Sequence, residues 1–404
     1  MKIIERTLSP VVLRASRSFK CVLLSGPRQV GKTTLLRSIA EPERREVTLD
    51  DPMVRSLARR DPELFLETYP APLLIDEIQY APELFPFIKM RVDRSDTMGQ
   101  YWLTGSQPFR LMKGVSESLA GRVAILNLQG LSEAERDGRE NIPFLPTIGV
   151  SGAGRRIVTR SEMAEVVFRG SFPQLAAIPE TDITLFMSSY VATYLARDVR
   201  DLIKAAHEQE FLTFLSCLAA RCGQLLNAMS IGQEVGLSAP TIKKWISILE
   251  SSGVILLLRP YSNNLTKRAT ATPKVYFTDT GLAAYLCGFH SPGEIERSAT
   301  FGHLFENWVV MSVLKSWWHA GRTCDAWFYR DRDGHEIDLL IRNALQLHPI
   351  EIKSSANPNI AEIAANFVAL ARTGTEISTG AVLCLAKEDI PVSQSMLRLN
   401  VGAI

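Results

Sequence analysis

Residues 21–40 set an apolar run, a glycine-bracketed turn and a second apolar stretch in direct succession. Cys21-Val-Leu-Leu24 reads as a buried strand, and Lys32 to Ala40 has the spacing of a helix. Between them, Gly26-Pro-Arg-Gln-Val-Gly31-Lys32-Thr33 fits GxxxxGK[ST], a pattern that has meaning only in this strand–turn–helix setting. Glycine permits the backbone angles that turn successive N–H groups into one cradle. The helix that opens there adds the positive end of its dipole. Such a loop is expected to bind ATP and to support its hydrolysis. The expected contacts are Gly26, Pro27, Arg28, Gln29, Val30, Gly31, Lys32, Thr33 and Thr34. Lys32 would reach the β- and γ-phosphates, and the Thr33 hydroxyl would ligate Mg2+.

A second motif fits the first. Pro72-Leu-Leu-Ile-Asp76-Glu77 is an apolar strand ending in two carboxylates. Asp76 is expected beside the Mg2+, and Glu77 is placed to polarise the attacking water. Acids at the start of a helix are the plainer alternative. The next strand ends Leu103-Thr104-Gly105-Ser106-Gln107 and should lie between the Gly26 and Asp76 strands. There Thr104, Ser106 or Gln107 would sense the γ-phosphate or orient water, with an ordinary polar turn as the equal alternative. Arg122, in Ser118-Leu-Ala-Gly-Arg122, is either a salt-bridged surface residue or an arginine finger acting in trans. Further strands at Glu46–Leu49 and Val123–Leu128 alternate with helical stretches. Strands separated by helices pair in parallel, so residues 1–137 are expected to form an α/β three-layer sandwich.

The chain has 404 residues, enough for two to four domains at roughly 100–200 residues each. A net charge of +2 gives no bulk attraction for nucleic acid, so any basic surface must be local. The six cysteines form no CxxC pair and no zinc spacing, which points to reduced thiols. The start Met-Lys-Ile-Ile-Glu-Arg carries no leader pattern, and no apolar run is long enough for a bilayer. A cytoplasmic protein without a membrane partner is expected.

Together these motifs resemble a family of prokaryotic AAA-superfamily ATPases. The likeness rests on Gly26–Thr34, Leu49-Asp-Asp-Pro52, Leu74–Gln79, Leu103–Gln107 and Ser118–Arg122. It continues through Gly170-Ser-Phe-Pro173, Tyr194-Leu-Ala-Arg-Asp198 and Lys274–Leu282, and so spans nearly the whole chain. It implies an AAA-type core, a winged-helix module and a C-terminal domain of unknown function with a nuclease-like fold. The expected division is residues 1–137 for the core, 138–208 for a linker and helices, 209–290 for the winged helix and 291–404 for the last domain.

The residues themselves support that division. Gly, Pro and Arg punctuate 138–160, as in an exposed linker. Ile231–Val235, a turn at Gly236 and a helix capped by Ser238 read as a helix–turn–helix. Ile242, Trp245, Ile246 and Leu249 make its apolar face, leaving Lys243, Lys244 and Ser247 off that face to meet DNA or solvent. A wing hairpin is expected from Gly253, tipped near Ser262–Asn264, with Lys267 and Arg268 adding charge. In the last domain Asp338, Glu351 and Lys353 fill the slots of a PD-(D/E)xK pattern. Glu351 and Lys353 alternate on one strand and so share a face. Asp338 and Glu351, with Glu306 as a third carboxylate, would hold a hard divalent cation against a phosphodiester. The alternative is a structural Glu351–Lys353 ion pair, with Arg330 and Arg332 merely attracting DNA. The functional expectation is an ATPase acting on DNA, with an ATP-gated switch gripping a protein partner as its rival.

Overall fold

The computed structural model describes residues 3–106, 118–148, 156–195, 208–264 and 271–404, without the side chains of 194 and 195. Helix α1 (Ser9–Ser18) precedes strand β1 (Cys21–Ser25) and helix α2 (Lys32–Ile39). Strands β2 (Arg45–Thr48), β3 (Leu73–Asp76), β4 (Tyr101–Gly105) and β5 (Val123–Asn127) complete a sheet of order β2-β3-β4-β1-β5. Every pairing in it is parallel. Side chains alternate across its two faces. Cys21, Leu23, Leu73, Ile75, Tyr101 and Leu103 enter one core, while Val22, Leu24, Leu74 and Trp102 enter the other. Helices cover both faces of the central strands, which is why β1, β3 and β4 are buried along their whole length. Helices α3 (Pro52–Arg60), α4 (Pro62–Thr68) and α5 (Leu84–Asp93) join β2 to β4 through β3. Asp51 and Asp61 cap α3 and α4, each followed by proline at the first helical position.

After β5 come α6 (Glu133–Asp137), α7 (Arg160–Arg169), α8 (Pro173–Ala177) and α9 (Ile183–Tyr190). Ser132/Glu135 and Thr159/Glu162 form capping boxes at α6 and α7. Around Phe144 the segment after α6 is not the exposed linker its punctuation suggested. Phe144 is buried, its N–H donates to Ser316 Oγ at 2.9 Å, and its carbonyl accepts from Trp317 Nε1 at 2.9 Å. Burying one aromatic ring is enough to fasten such a segment.

Helix α10 (Glu208–Ala219) leads to α11 (Ala228–Val235) and α12 (Ala239–Ser251). Gly236 turns between the last two at φ 77°, and Ser238 caps α12. Strands β6 (Ile255–Leu258) and β7 (Lys274–Phe277) pair antiparallel. The stretch after β6 does not project as a wing tip. Tyr261 N–H donates to Phe328 O at 2.7 Å, its hydroxyl meets Thr375 Oγ1 at 2.9 Å, and Asn263 Nδ2 donates to Thr373 O. An aromatic ring that can lie on Trp327 is better buried than held in water. Lys267 and Arg268 lie outside the described residues.

Helices α13 (Thr280–Leu286), α14 (Pro292–Arg297) and α15 (Phe301–His319) follow. The second large sheet comprises β8 (Asp325–Arg330), β9 (Glu336–Asn343), β10 (Gln346–Lys353), β11 (Gly380–Cys384), β12 (Ile390–Ser393) and β13 (Met396–Asn400), in the order β12-β13-β11-β10-β9-β8. Helix α16 (Ile360–Ala369) packs on one face with Phe367 and Ile363. Helix α15 packs on the other. One core runs from Phe168 and Trp245 in the middle helices through α15 to Ile350 and Leu383 in this sheet. A helix shared by two units must be apolar on nearly every side, and α15 is buried at the consecutive residues Trp308, Val309, Val310 and Met311.

Candidate nucleotide site and acidic cluster

The turn between β1 and α2 needs its glycines. Gly26 has φ +145°, and a Cβ there would stand 2.0 Å from Leu128 O. Gly31 lies in the left-handed region at φ 87° and caps α2. Lys32 is buried and donates to Gly26 O at 3.1 Å and Pro27 O at 2.7 Å, so its charge lies inside the curve of the loop. Gln29 also takes positive φ, at 61°. Thr34 lies one residue further into α2.

The strand order brings β3 and β4 beside this loop as expected. Asp76 ends β3, and its Oδ1 accepts from Thr33 Oγ1 at 2.6 Å and Thr104 Oγ1 at 2.5 Å. Its Oδ2 accepts from Thr48 Oγ1 at 3.3 Å. Glu77 follows at φ 57° and ψ 46°, an uncommon conformation for a residue with a side chain. Its N–H donates to Thr104 Oγ1 at 3.0 Å. Ser106 Oγ donates to Glu77 Oε2 at 3.2 Å, and buried Gln79 donates to the same oxygen through Nε2. Arg28 Nη2 donates to Tyr80 OH at 3.4 Å.

Distant segments brace the loop. Arg6 donates to Val30 O and to Gln129 O, each at 2.7 Å, and pairs with Glu135 at 3.1 Å. Burial works against the Glu135 charge, but His319 and Arg6 outweigh it and hold the carboxyl well below its usual range. Pro173 approaches Gly31, and Gly253 lies against Pro27 of the loop. Ser171 donates through N and Oγ to Asp279 Oδ2, and Lys315 of α15 donates to Ser171 Oγ at 2.8 Å. Burial lowers the Lys315 pKa to about 8, against the opposing charge of Asp279. The loop thus touches the middle segment directly and reaches α15 through Arg6, Glu135 and His319.

Residues 18–136 match the family model described as AAA domain. That segment is similar to AAA domains. Residues 160–293 match a domain of unknown function, DUF8612, and residues 301–403 match another, DUF4143. The uncharacterized proteins Mb2031c of Mycobacterium bovis and Rv2008c of Mycobacterium tuberculosis are each 29% identical over 365 residues, covering 89% of this chain and 76% of theirs. Among solved structures, the Walker-type ATPase PABY2304 of Pyrococcus abyssi is similar with a TM-score of 0.41 and 14% identity, over 70% of this chain and 96% of that one. A RuvB variant of Thermotoga maritima gives 0.28 and 17%, over 61% and 86%. No helix among the described residues is long and apolar enough to cross a membrane.

One residue expected near the nucleotide falls elsewhere. Arg122 precedes β5 at the N-terminal edge of the parallel sheet, opposite the phosphate loop, where it pairs with Asp93. It is therefore no sensor for the nucleotide of its own chain. Gln107 lies outside the described residues, as do Ala196, Arg197 and Asp198 of the Tyr194 motif. Lys243 and Lys244 are exposed on α12, with Ile242, Trp245, Ile246 and Leu249 buried beneath them.

The DUF4143 segment gathers Glu306, Asp338, Glu351 and Lys353. Lys353 Nζ lies 2.7 Å from Glu351 Oε1, and Asp338 Oδ2 accepts from Ile352 N–H at 3.0 Å. The arrangement has a member that spacing did not suggest. Lys274 of β7 enters from the DUF8612 segment, with Nζ 2.7 Å from Glu336, 3.3 Å from Glu306 and 3.4 Å from Asp338. Tyr276 OH donates to Glu306 at 2.7 Å. The Lys274 ammonium therefore lies between Asp338 and Glu306. Burial and the Asp338 charge push Glu306 up to about 7 and Glu351 up to about 8. Glu351 Oε2 is buried without a hydrogen-bond partner. Among the described residues, the one trio of potential metal ligands with atoms mutually within 4.8 Å is Asp331, Asp333 and His335, and Arg372 already pairs with both acids. Arg330 reaches Glu336 at 3.7 Å, and Arg332 is exposed in the β8–β9 turn.

Residues that the sequence reading passed over lay inside quoted motifs. Gln79 ends Leu74–Gln79, Ser171 and Pro173 belong to Gly170–Pro173, and Lys274 opens Lys274–Leu282. Arg6 sat in a terminus read only for a leader.

Proposed function

We propose that this protein hydrolyses Mg2+-bound ATP in the AAA domain and couples the cycle to DNA held on the exposed face of α12. The carrying observation is the convergence of Thr33, Asp76 and Glu77 at the phosphate loop. A hydroxyl and a carboxylate 2.6 Å apart are hard oxygen donors of the kind Mg2+ prefers. Thr33 and Asp76 would hold the ion, which would neutralise charge on the β- and γ-phosphates. Lys32 would turn from Gly26 O and Pro27 O onto those phosphates. Glu77 would take a proton from the attacking water. The exposed lysines of α12 support the DNA arm, in keeping with the winged-helix reading of α11, α12 and the β6–β7 pair. The test is ATP turnover with Mg2+ and with EDTA, each with and without single- and double-stranded DNA. Mg2+-dependent turnover stimulated by DNA supports both arms. Turnover indifferent to DNA, with ATP-dependent capture of a protein, supports the rival switch. No turnover at all removes the ATPase reading.

The orphaned Glu351 Oε2 favours a second reading, metal-dependent phosphodiester cleavage at a nuclease-like site. Asp338 and Glu351 would hold Mg2+ or Mn2+, and Lys353 would steady developing negative charge. Mn2+-dependent cutting of linear, branched or single-stranded DNA that vanishes in Asp338→Ala and Lys353→Ala supports it. No cutting, with no Mn2+ binding by calorimetry, leaves a structural remnant.

A further inference from the structure

We infer that Gln79 holds the attacking water of ATP hydrolysis alongside Glu77, an inference that rests on the ATPase reading above. Gln79 is 5% exposed, three residues past Asp76. Its Nε2 donates to Glu77 Oε2 and lies 3.3 Å from Ser106 Oγ, which donates to the same carboxylate oxygen. A carboxylate only accepts hydrogen bonds, so the amide nitrogen must face Glu77. That fixes the flip of the amide. Its oxygen is left buried with no hydrogen-bond partner.

A buried acceptor without a donor is costly, and each native instance calls for an explanation. Here the unmet atom sits on the same carbon as the nitrogen touching Glu77. Any donor that satisfies it lies next to the Glu77 carboxylate. The site is the C-terminal edge of β3 and β4, beside the phosphate loop. A water molecule fits the need, because it has two hydrogens to give. One goes to Glu77 and the other to Gln79 Oε1, which leaves a lone pair of the water oxygen for phosphorus. In the step, that oxygen bonds to the γ-phosphorus and the bond from the γ-phosphorus to the β–γ bridging oxygen breaks. Glu77 takes one proton, the hydrogen facing Gln79 stays on the new phosphate, and ADP leaves. A neutral amide suits the second position, since it accepts a hydrogen bond without competing as a base.

The Glu77 backbone strengthens the case. Its left-handed conformation is uncommon for a side-chain-bearing residue and is pinned by Thr104, which also bonds Asp76. Gln79 and Ser106 then fix the carboxylate from the other side. The base is thus immobilised before nucleotide arrives, and the unmet Gln79 oxygen is the acceptor left for a water.

The experiment compares full-length wild type with Gln79→Met, which keeps the volume without hydrogen bonds, and Gln79→Glu, which keeps the reach and acceptors but loses the N–H donors. Single-turnover hydrolysis of ATP, affinity for a fluorescent ATP analogue and thermal melting are measured on each, with Glu77→Gln as reference. The inference expects hydrolysis in Gln79→Met to fall on the order of 10²-fold, as misplacing a reactant does, with ATP affinity held within about threefold, since a group that touches only the water leaves ground-state binding intact. Wild-type rates in Gln79→Met would overturn it while leaving the ATPase reading intact. Rate, affinity and melting temperature falling together in both variants would assign Gln79 to structure alone and also overturn it. If wild type itself does not hydrolyse ATP, the ATPase reading fails first and this inference with it.

Discussion

Lys274 Nζ lies 2.7 Å from Glu336 Oε1, so a strand of the DUF8612 segment supplies a buried cation to an acidic cluster of the DUF4143 segment. Lys274 is 4% exposed, and Glu306 and Asp338 share its charge. Removing one partner of a buried ionic group leaves the others uncompensated. Lys274→Met should therefore cost about 3–5 kcal/mol in urea unfolding. A loss below about 1 kcal/mol would mean that water already screens the cluster.

The same cluster should make stability depend on pH. Glu306 and Glu351 rise to about 7 and about 8 in the fold, from 4.5. Between those values the folded chain keeps protons that the unfolded chain has released. Their contribution is therefore full below pH 4.5 and is lost as pH rises through 7 to 8. Urea midpoints for wild type should fall between pH 5.5 and 8.5, and Glu351→Gln should flatten that slope. An identical slope in the variant would count against a raised Glu351.

Arg6 joins the phosphate loop, the stretch after β5 and buried Glu135. Arg6→Ala strands the Glu135 carboxylate and should cost about 3–5 kcal/mol. Arg6→Lys should rescue little, because one ammonium lacks the fork that spans both carbonyls and the acid. Denaturant melts of the two variants measure this, and a Lys variant as stable as wild type would contradict it.

For the nucleotide itself, Lys32→Ala should weaken ATP binding, as it removes the charge inside the loop. Glu77→Gln should bind ATP normally and hydrolyse it slower by about 10²-fold or more, the usual worth of a positioned base. Equilibrium binding and single-turnover rates separate the two effects. A wild-type rate in Glu77→Gln would exclude it as the base.

On α12, Lys243→Ala with Lys244→Ala should weaken DNA binding and flatten its salt dependence by about 0.9 in slope for each phosphate no longer neutralised. The fold should survive, because both side chains are exposed above the buried face. Fluorescence anisotropy across a salt series reads both quantities, and an unchanged slope would clear this helix of a role in holding DNA.

What local sequence determined was every feature with a short period or a fixed spacing. The phosphate loop, the Asp76 strand and the Ser238 cap of α12 follow from residues a few positions apart, since backbone angles and strand alternation act at that range. Only the tertiary structure decided which distant groups share a buried site. Arg6 meets Gln129 from 123 residues away, Lys274 meets Asp338 from 64, and Tyr261 lies on the last sheet instead of standing free. A buried charge or aromatic ring must find its partner wherever the packed elements bring one, and no local pattern encodes that meeting. The Arg122–Asp93 pair at the far edge of the sheet is the same lesson in reverse: a motif arginine whose place was settled by the direction of its strand.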